Sequence, residues 1–420
     1  MSAGVRRRAV LGAGAAACLA PLAGCASRPP GLEVVCAWGG TEYTAFRESL
    51  AGFTRTTGHP VRIVVANGNG VDAMLSARLA AGNRPDAAVF SEPSLITRYA
   101  ADHHLVALDN RLGDHLPAYW RELASVDGDL YGCWLKVAHK SLFWYPRGEL
   151  ARRDEPADWA ALVDLVRDWP GRDAPLAIGA ADGWVLTDWF ENVLASLDPG
   201  TYEAMAVPGA DWDVEPVRDT LNLLARLWTI PRALPYGGAR ALLTPFDASV
   251  AQVFGERRAG MLFEGDFVAP VVAGLHTDVV PEVFRFPSLG ARRPQIVGGD
   301  VAVLLRDSPA GRALMAYLSD PAAADPWIRA GFLAVPDTRG HRVSYPDRRL
   351  ATLAAEIATA PERVSFDLSD RLTGALTGDD GKGSWLILSD FFRAVTGGTS
   401  RRQAIRDAVQ AFTADAKATP

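Results

Sequence analysis

Few side chains in this sequence are typed and spaced for covalent or metal chemistry. There is no His-Glu-x-x-His, no Cys-x-x-Cys and no Gly-rich loop closing on Lys-Ser or Lys-Thr, so the usual zinc, redox and phosphate-cradling signatures are missing. Of the seven histidines, His103 and His104 are adjacent and point to different faces of a helix, which suits solvated residues better than a ligand pair. Gly68-Asn69-Gly70 reads as a strand-to-helix turn, and no Gly-x-Ser-x-Gly elbow occurs. Among many carboxylate pairs, Glu264 and Asp266 are the tempting one for glycoside hydrolysis. That reaction needs carboxyls on opposite sides of a sugar, which residues two apart in one segment rarely supply. No catalytic group, metal site or cofactor is therefore expected. The surplus that stands out is twelve tryptophans, spread along the chain.

Such side chains need elements to hold them, and the mature chain alternates strands and helices. Residues 32–38 read as a strand ending in Gly39-Gly40, followed by a helix from Glu42 to Thr56 with Phe46, Leu50 and Phe53 at helical spacing. A second strand spans His59–Val65, a helix Val71–Ala81, a third strand Ala87–Phe90 and a helix Pro93–His103. This alternation implies α/β architecture with right-handed crossovers and a mostly parallel sheet. Ligands in such sheets bind beyond the carboxyl ends of the strands. The loops Trp38–Glu42, Asn67–Gly70 and Ser91–Glu92 occupy that place. Further helices are expected at 156–168, 187–196 and 214–228, a strand at Gln295–Leu305 and a helix at Pro309–Ser319. The region 346–418 reads as mainly helical, with Gly-rich breaks.

The 420 residues, 49% hydrophobic and 22% charged, describe a packed protein of two or three domains or two large lobes. A net charge of −6 without a basic tract argues against a nucleic-acid partner. Residues 1–24 hold no acid, carry Arg6, Arg7 and Arg8, and continue as an apolar run from Ala9 to Leu22. That is a signal peptide too short to span a bilayer. Arg7-Arg8-Ala9-Val10-Leu11 resembles a twin-arginine export signal. Leu22-Ala23-Gly24-Cys25 resembles a bacterial lipobox, which implies a lipid on Cys25 and a tether over 25–31. The expected location is extracytoplasmic, anchored to the outer face of the cell membrane. Removing the signal takes the charge to −9. Export permits a disulfide between Cys36 and Cys133, although a buried free thiol at Cys36 is equally natural.

A longer order of motifs follows: strand-Trp38-Gly39-Gly40-x-Glu42, Pro85-Asp86-Ala87-Ala88-Val89-Phe90, and Leu105-Val106-Ala107-Leu108-Asp109. After these come Asp129-Leu130-Tyr131-Gly132, Lys140 to Tyr145, Arg258 to Phe267 and Val297 to Val303. Together they resemble the extracellular solute-binding lipoproteins of ABC sugar importers, with Phe267 where relatives usually carry tryptophan. Phe366-Asp367-Leu368-Ser369-Asp370 and Gly381-Lys382-Gly383-Ser384-Trp385 resemble the α-glucoside-binding branch. The resemblance implies a periplasmic-binding-protein-like fold of two discontinuous α/β lobes, 31–135 plus 303–337 and 136–302 plus 338–420, joined by hinge crossings around a ligand cleft. It also implies a monomer whose partners are a carbohydrate, the permease transmembrane subunits and, through the anchor, the membrane.

A pyranose offers hydroxyls at its rim and C–H patches on its faces, so its site needs aromatic platforms beside carboxylates and amides. By position in the family pattern, Trp38, Glu42, Asn67, Glu92 and Lys136 are candidate contacts, with Trp184, Trp189, Glu264, Asp266 and Trp385 from the second lobe. Gly298 and Gly299 would admit close backbone approach, and Asp300 would reach the rim. Ala138 stands where relatives often have a carboxylate. Trp120, Trp159, Trp169, Trp212, Trp228 and Trp327 are assigned to packing. The same fold binding a glycerol phosphodiester or a polyamine is one rival reading, and an exported glycoside hydrolase or a ligand-free lipoprotein scaffold is another.

Overall fold

The computed structural model describes residues 31–66, 70–171, 173–290, 293–341, 343–359, 364–378 and 382–418. The signal, Cys25, the tether up to residue 30 and Asn67 lie outside the described residues.

Among the described residues there are twelve strands, of which ten build two main sheets and two pair only with each other. They are β1 (Leu32–Cys36), β2 (Val61–Val65), β3 (Ala87–Phe90), β4 (Ser125–Val126), β5 (Asp129–Leu130), β6 (Gly132–His139), β7 (Leu142–Pro146), β8 (Ala174–Ala177), β9 (Ala259–Glu264), β10 (Pro281–Arg285), β11 (Ile296–Leu304) and β12 (Ser365–Phe366). The first sheet runs β12-β11-β3-β1-β2, with β6 also on β11, and the second runs β10-β7-β9-β8. β1 lies parallel to both β2 and β3. Its Leu-Glu-Val-Val-Cys run is buried throughout, as a central parallel strand covered on both faces requires. β11 enters antiparallel to β3 and β6. In the second sheet β7 is antiparallel to β9 and β10, and only β8–β9 is parallel. The expectation of a mostly parallel sheet therefore holds around β1 and not in the second sheet. There the chain arrives at β7 by crossing directly from the first sheet, and a helical crossover joins only the parallel pair β8 and β9.

β6 ends at His139 and β7 begins at Leu142, so two residues carry the chain from one sheet to the other. Ser141 secures this step by accepting the Ile296 N–H on its Oγ at 2.8 Å, while Lys140 N donates to Ile296 O at 2.8 Å. The two sheets nucleate two apolar clusters. The first contains Val34, Phe46, Phe90, Trp120, Val301 and Trp327; the second contains Phe143, Leu186, Trp189, Trp228, Phe263 and Phe391. Helix Arg348–Thr359, expected in the second lobe, sends Leu350, Leu353 and Ile357 into the first cluster.

Cys36 and Cys133 are free and buried, so the permitted bridge is not made. Burial pushes the Cys36 thiol up to about 11 and Cys133 up to about 12, which leaves both unreactive. No helix among the described residues is long and apolar enough to cross a membrane.

Candidate functional site: an aromatic and carboxylate cleft

A cavity of about 620 Å³ opens beyond the carboxyl ends of β1 and β3, where crossover topology places ligand sites. One wall carries Trp38, Glu42, Ser91, Glu92, Lys136 and Asp300. The facing wall carries Lys140, Trp184, Phe246, Phe267, Asp370 and Trp385.

The first wall is organised by one buried ammonium. Lys136 on β6 is the register partner of Asp300 on β11. Its Nζ lies 2.5 Å from Asp300 Oδ2 and 3.0 Å from Glu42 Oε1. Ser91 Oγ donates to the other oxygen of Asp300 at 2.8 Å. The ammonium also sits 5.6, 5.9 and 5.3 Å from the ring centroids of Trp38, Trp327 and Phe332, within cation–π range. Burial alone would push the Lys136 pKa down, but Asp300 and Glu42 outweigh it and hold the group above its ordinary value. Trp38 is fixed from behind by edge contacts to Phe46 at 5.0 Å and Trp327 at 4.8 Å. The wall therefore presents two carboxyl groups sharing one ammonium, with burial raising Glu42 above its ordinary range, beside an indole packed between two rings.

The second wall begins at Asp182. Its Oδ2 accepts the Phe246 N–H at 2.7 Å, tying the start of helix Gly183–Leu197 to the start of helix Phe246–Phe254. This brings Trp184 within 5.3 Å of Phe246 and 5.7 Å of Phe267. Lys140 lies 5.9 Å from the Trp184 ring and is bonded to Asp188 and Asp367. Trp385 reaches the cavity because Gly183 and Gly378 have no side chain: a Cβ on them would stand 2.6 Å from Trp385 Cβ and 2.1 Å from Trp385 Cδ1.

Eight of the residues singled out from the sequence meet at this cavity: Trp38, Glu42, Glu92, Lys136, Trp184, Gly299, Asp300 and Trp385. Four others are placed elsewhere. Trp189 is fully buried in the second core, 4.8 Å from the Phe263 ring, because the helix turns it away from the face bearing Trp184. Asp266 accepts the His139 N–H at 2.6 Å and is pushed up to about 7 by burial; it serves the crossing. Glu264, the last residue of β9, is buried, with neither oxygen hydrogen-bonded. Gly298 makes room for the Lys140 stem, whose Cε a Cβ would approach to 3.1 Å. At Gly299 a Cβ would meet Trp134 at 2.9 Å and the Lys136 carbonyl at 3.0 Å, so packing between β6 and β11 already demands glycine there.

Sequence reasoning did not nominate Lys140, Asp370, Ser91, Phe246, Asp247 or Phe267. Lys140 and Asp370 stand inside quoted motifs, and Phe267 was noted only as a departure. Phe246 and Asp247 follow Pro245 at a helix start, a signal too common to single out. Oxygens of Asp188, Glu191 and Asp367 lie within 4.8 Å of one another, a spacing a metal could use, but the Lys140 ammonium already bonds two of these residues.

Known proteins resemble the chain along most of its length. The chain is 29% identical over 353 residues to the osmoprotective compounds-binding protein GgtB of Synechocystis sp., covering 80% of this chain and 83% of that one. It is 25% identical over 388 residues to the alpha-glucosides-binding periplasmic protein AglE of Rhizobium meliloti, covering 84% and 81%. The fold superposes on the bacterial solute receptor AcbH with a TM-score of 0.76 at 16% identity, covering 92% of this chain and 98% of that one. Residues 37–325 match the model of the bacterial extracellular solute-binding proteins, and the chain belongs to that family.

Proposed function

We propose that the chain captures a neutral carbohydrate, an α-linked disaccharide or α-glucoside, between its lobes and delivers it to the transmembrane subunits of an ABC importer, without chemical change. One observation carries this reading. Trp38, with Glu42 and Asp300 sharing the Lys136 ammonium, faces Trp184 and Trp385 across the cavity. Aromatic faces match the C–H patches of a pyranose, and carboxylates accept its hydroxyls through charge-assisted bonds. One relative points the same way, since AglE is named for α-glucosides, while GgtB is named for osmoprotective compounds. A phosphodiester would call for an unengaged cation, whereas the two lysines lining the cavity are each bonded to two carboxylates. Glycoside hydrolysis is disfavoured because Glu42 and Asp300 share one ammonium on the same wall.

Lobe closure supplies the signal. A ligand gripped from both walls shifts the open–closed equilibrium by its differential affinity. Export through a twin-arginine signal and a lipid on Cys25 would hold this monomeric receptor at the outer membrane face beside the permease.

The test is a thermal-shift screen of residues 31–420 against trehalose, maltose, sucrose and glucosylglycerol, with glycerophosphocholine and spermidine as rivals. A ligand at a thousand times its Kd stabilises by about 4 kcal/mol. A shift with at least one sugar is expected. A shift confined to glycerophosphocholine or spermidine would replace the carbohydrate reading.

A further inference from the structure

Behind the second wall, five carboxyl groups surround one ammonium. Asp188 and Glu191 come from helix Gly183–Leu197, Glu264 from the end of β9, and Asp367 and Asp370 from the segment after β12. Every one of them is at most 9% exposed. Lys140 is the cation, bonded to Asp188 and Asp367. Asp367 also accepts from Ser369 Oγ at 2.7 Å and Asp370 N at 3.1 Å. Glu191 accepts the Leu368 and Ser369 N–H groups at 2.8 and 2.9 Å. These donors favour the ionised form. Against the push of burial, they and Lys140 keep Asp367 below its ordinary range, whereas burial pushes Asp188 up to about 8 and Glu191 well above its ordinary range. Glu264 has no hydrogen-bond partner on either oxygen. Asp370 borders the cavity, and no donor or cation among the described residues is bonded to its carboxyl. Full ionisation would leave four negative charges uncompensated in a low-dielectric interior, which proteins resolve by pairing or by neutralisation. The central position for a metal is already served by Lys140.

We propose that bound protons, held on Glu264 in the interior and on Asp370 at the cleft wall, lower the uncompensated charge of this cluster from about four to about two, so that Asp370 offers an O–H donor to the ligand. Burial, reinforced by Asp188 beside Glu264 and by Asp367 beside Asp370, pushes both carboxyls well above their ordinary range. The groups facing Asp370 are Asp367, Lys140, Asp188 and, from the loop after β3, Glu92; those facing Glu264 are Asp188, Lys140 and Asp182. One cation thus serves a set of anions from every packed element. The consequence for capture rests on the solute-binding reading above. A carboxylic acid donates to a ligand oxygen whereas a carboxylate only accepts, so affinity should fall as pH rises and the Asp370 proton passes to solvent.

The test needs no ligand, so its failure is distinct from failure of the carbohydrate reading. Infrared spectra of wild type, Glu264→Gln and Asp370→Asn at pH 7.5 are compared in the carbonyl stretch of protonated carboxyls. Each substitution should remove part of the wild-type band. Wild type should melt lower at pH 9 than at pH 6, and Asp370→Asn, which keeps the shape of the acid, should flatten that dependence. If neither variant loses band intensity, the proposal is overturned. The same follows if calcium chloride raises the wild-type melting temperature by several degrees at pH 9 and leaves both variants unmoved, since a metal would then be the neutralising charge.

Discussion

At the residue scale the cleft depends on one lysine. Lys136 is 5% exposed and stands between two carboxylates and three aromatic rings. Replacing it with methionine keeps the stem and leaves the buried Asp300 carboxylate uncompensated, which should cost about 3–5 kcal/mol by urea denaturation. The loss should shrink in Lys136→Met/Asp300→Asn, where only Glu42 loses its cation and burial favours its neutral form; equal losses in both would mean that the pair contributes little. Trp184 is different, since it packs on Phe246 and Phe267 at the cavity edge. Trp184→Ala should weaken sugar binding by about 2 kcal/mol, roughly thirtyfold, with a nearly unchanged melting temperature in the absence of ligand. Its legibility came from its place beside Gly183 at a loop. Trp189, five residues on, was not legible as core, because helical phase alone does not say which face meets the second sheet.

At the element scale, two helix starts must touch for the second wall to exist. Gly183 and Gly378 lie against Trp385, and Gly383 adopts φ +55° with a would-be Cβ 2.3 Å from Thr377 O. Gly183→Ala should separate helices Gly183–Leu197 and Gly383–Thr396 at a cost of about 1–3 kcal/mol, and should alter the near-ultraviolet circular dichroism of Trp385. A variant matching wild type in both would show that the contact does not position the wall. The first-sheet strands β1 to β3 and their helices were readable from runs such as Leu32–Cys36 and Ala87–Phe90, since each is short, apolar and bounded by turns. β9 and β10 were not. Ala-Gly-Met-Leu-Phe-Glu is as buried as β1 but has no β-branched residue, so unlike the valine-bearing β1 it carries little strand propensity.

At the scale of the whole molecule, stability should respond to pH at both ends. Glu356 is raised by burial but lowered more by His139 and Arg285, which hold its carboxyl at about 2. Its contribution is therefore present above the ordinary glutamate value of 4.5 and lost as pH falls towards 2. Asp266 is raised by burial to about 7, so its contribution is full below 3.8 and disappears as pH rises through 7. Denaturation of Asp266→Asn between pH 5 and 9 should show a shallower alkaline decline than wild type; parallel curves would contradict the assignment. The crossings at Lys140-Ser141 and Gln295-Ile296 join the walls, so in the proposed function closure and ligand capture are one equilibrium. The decisive measurement is calorimetric titration of wild type and Trp184→Ala with trehalose, sucrose and maltose, alongside glycerophosphocholine. The account predicts saturable binding of at least one disaccharide by wild type, weakened roughly thirtyfold in the variant. Saturable binding of glycerophosphocholine with none of any sugar would contradict it.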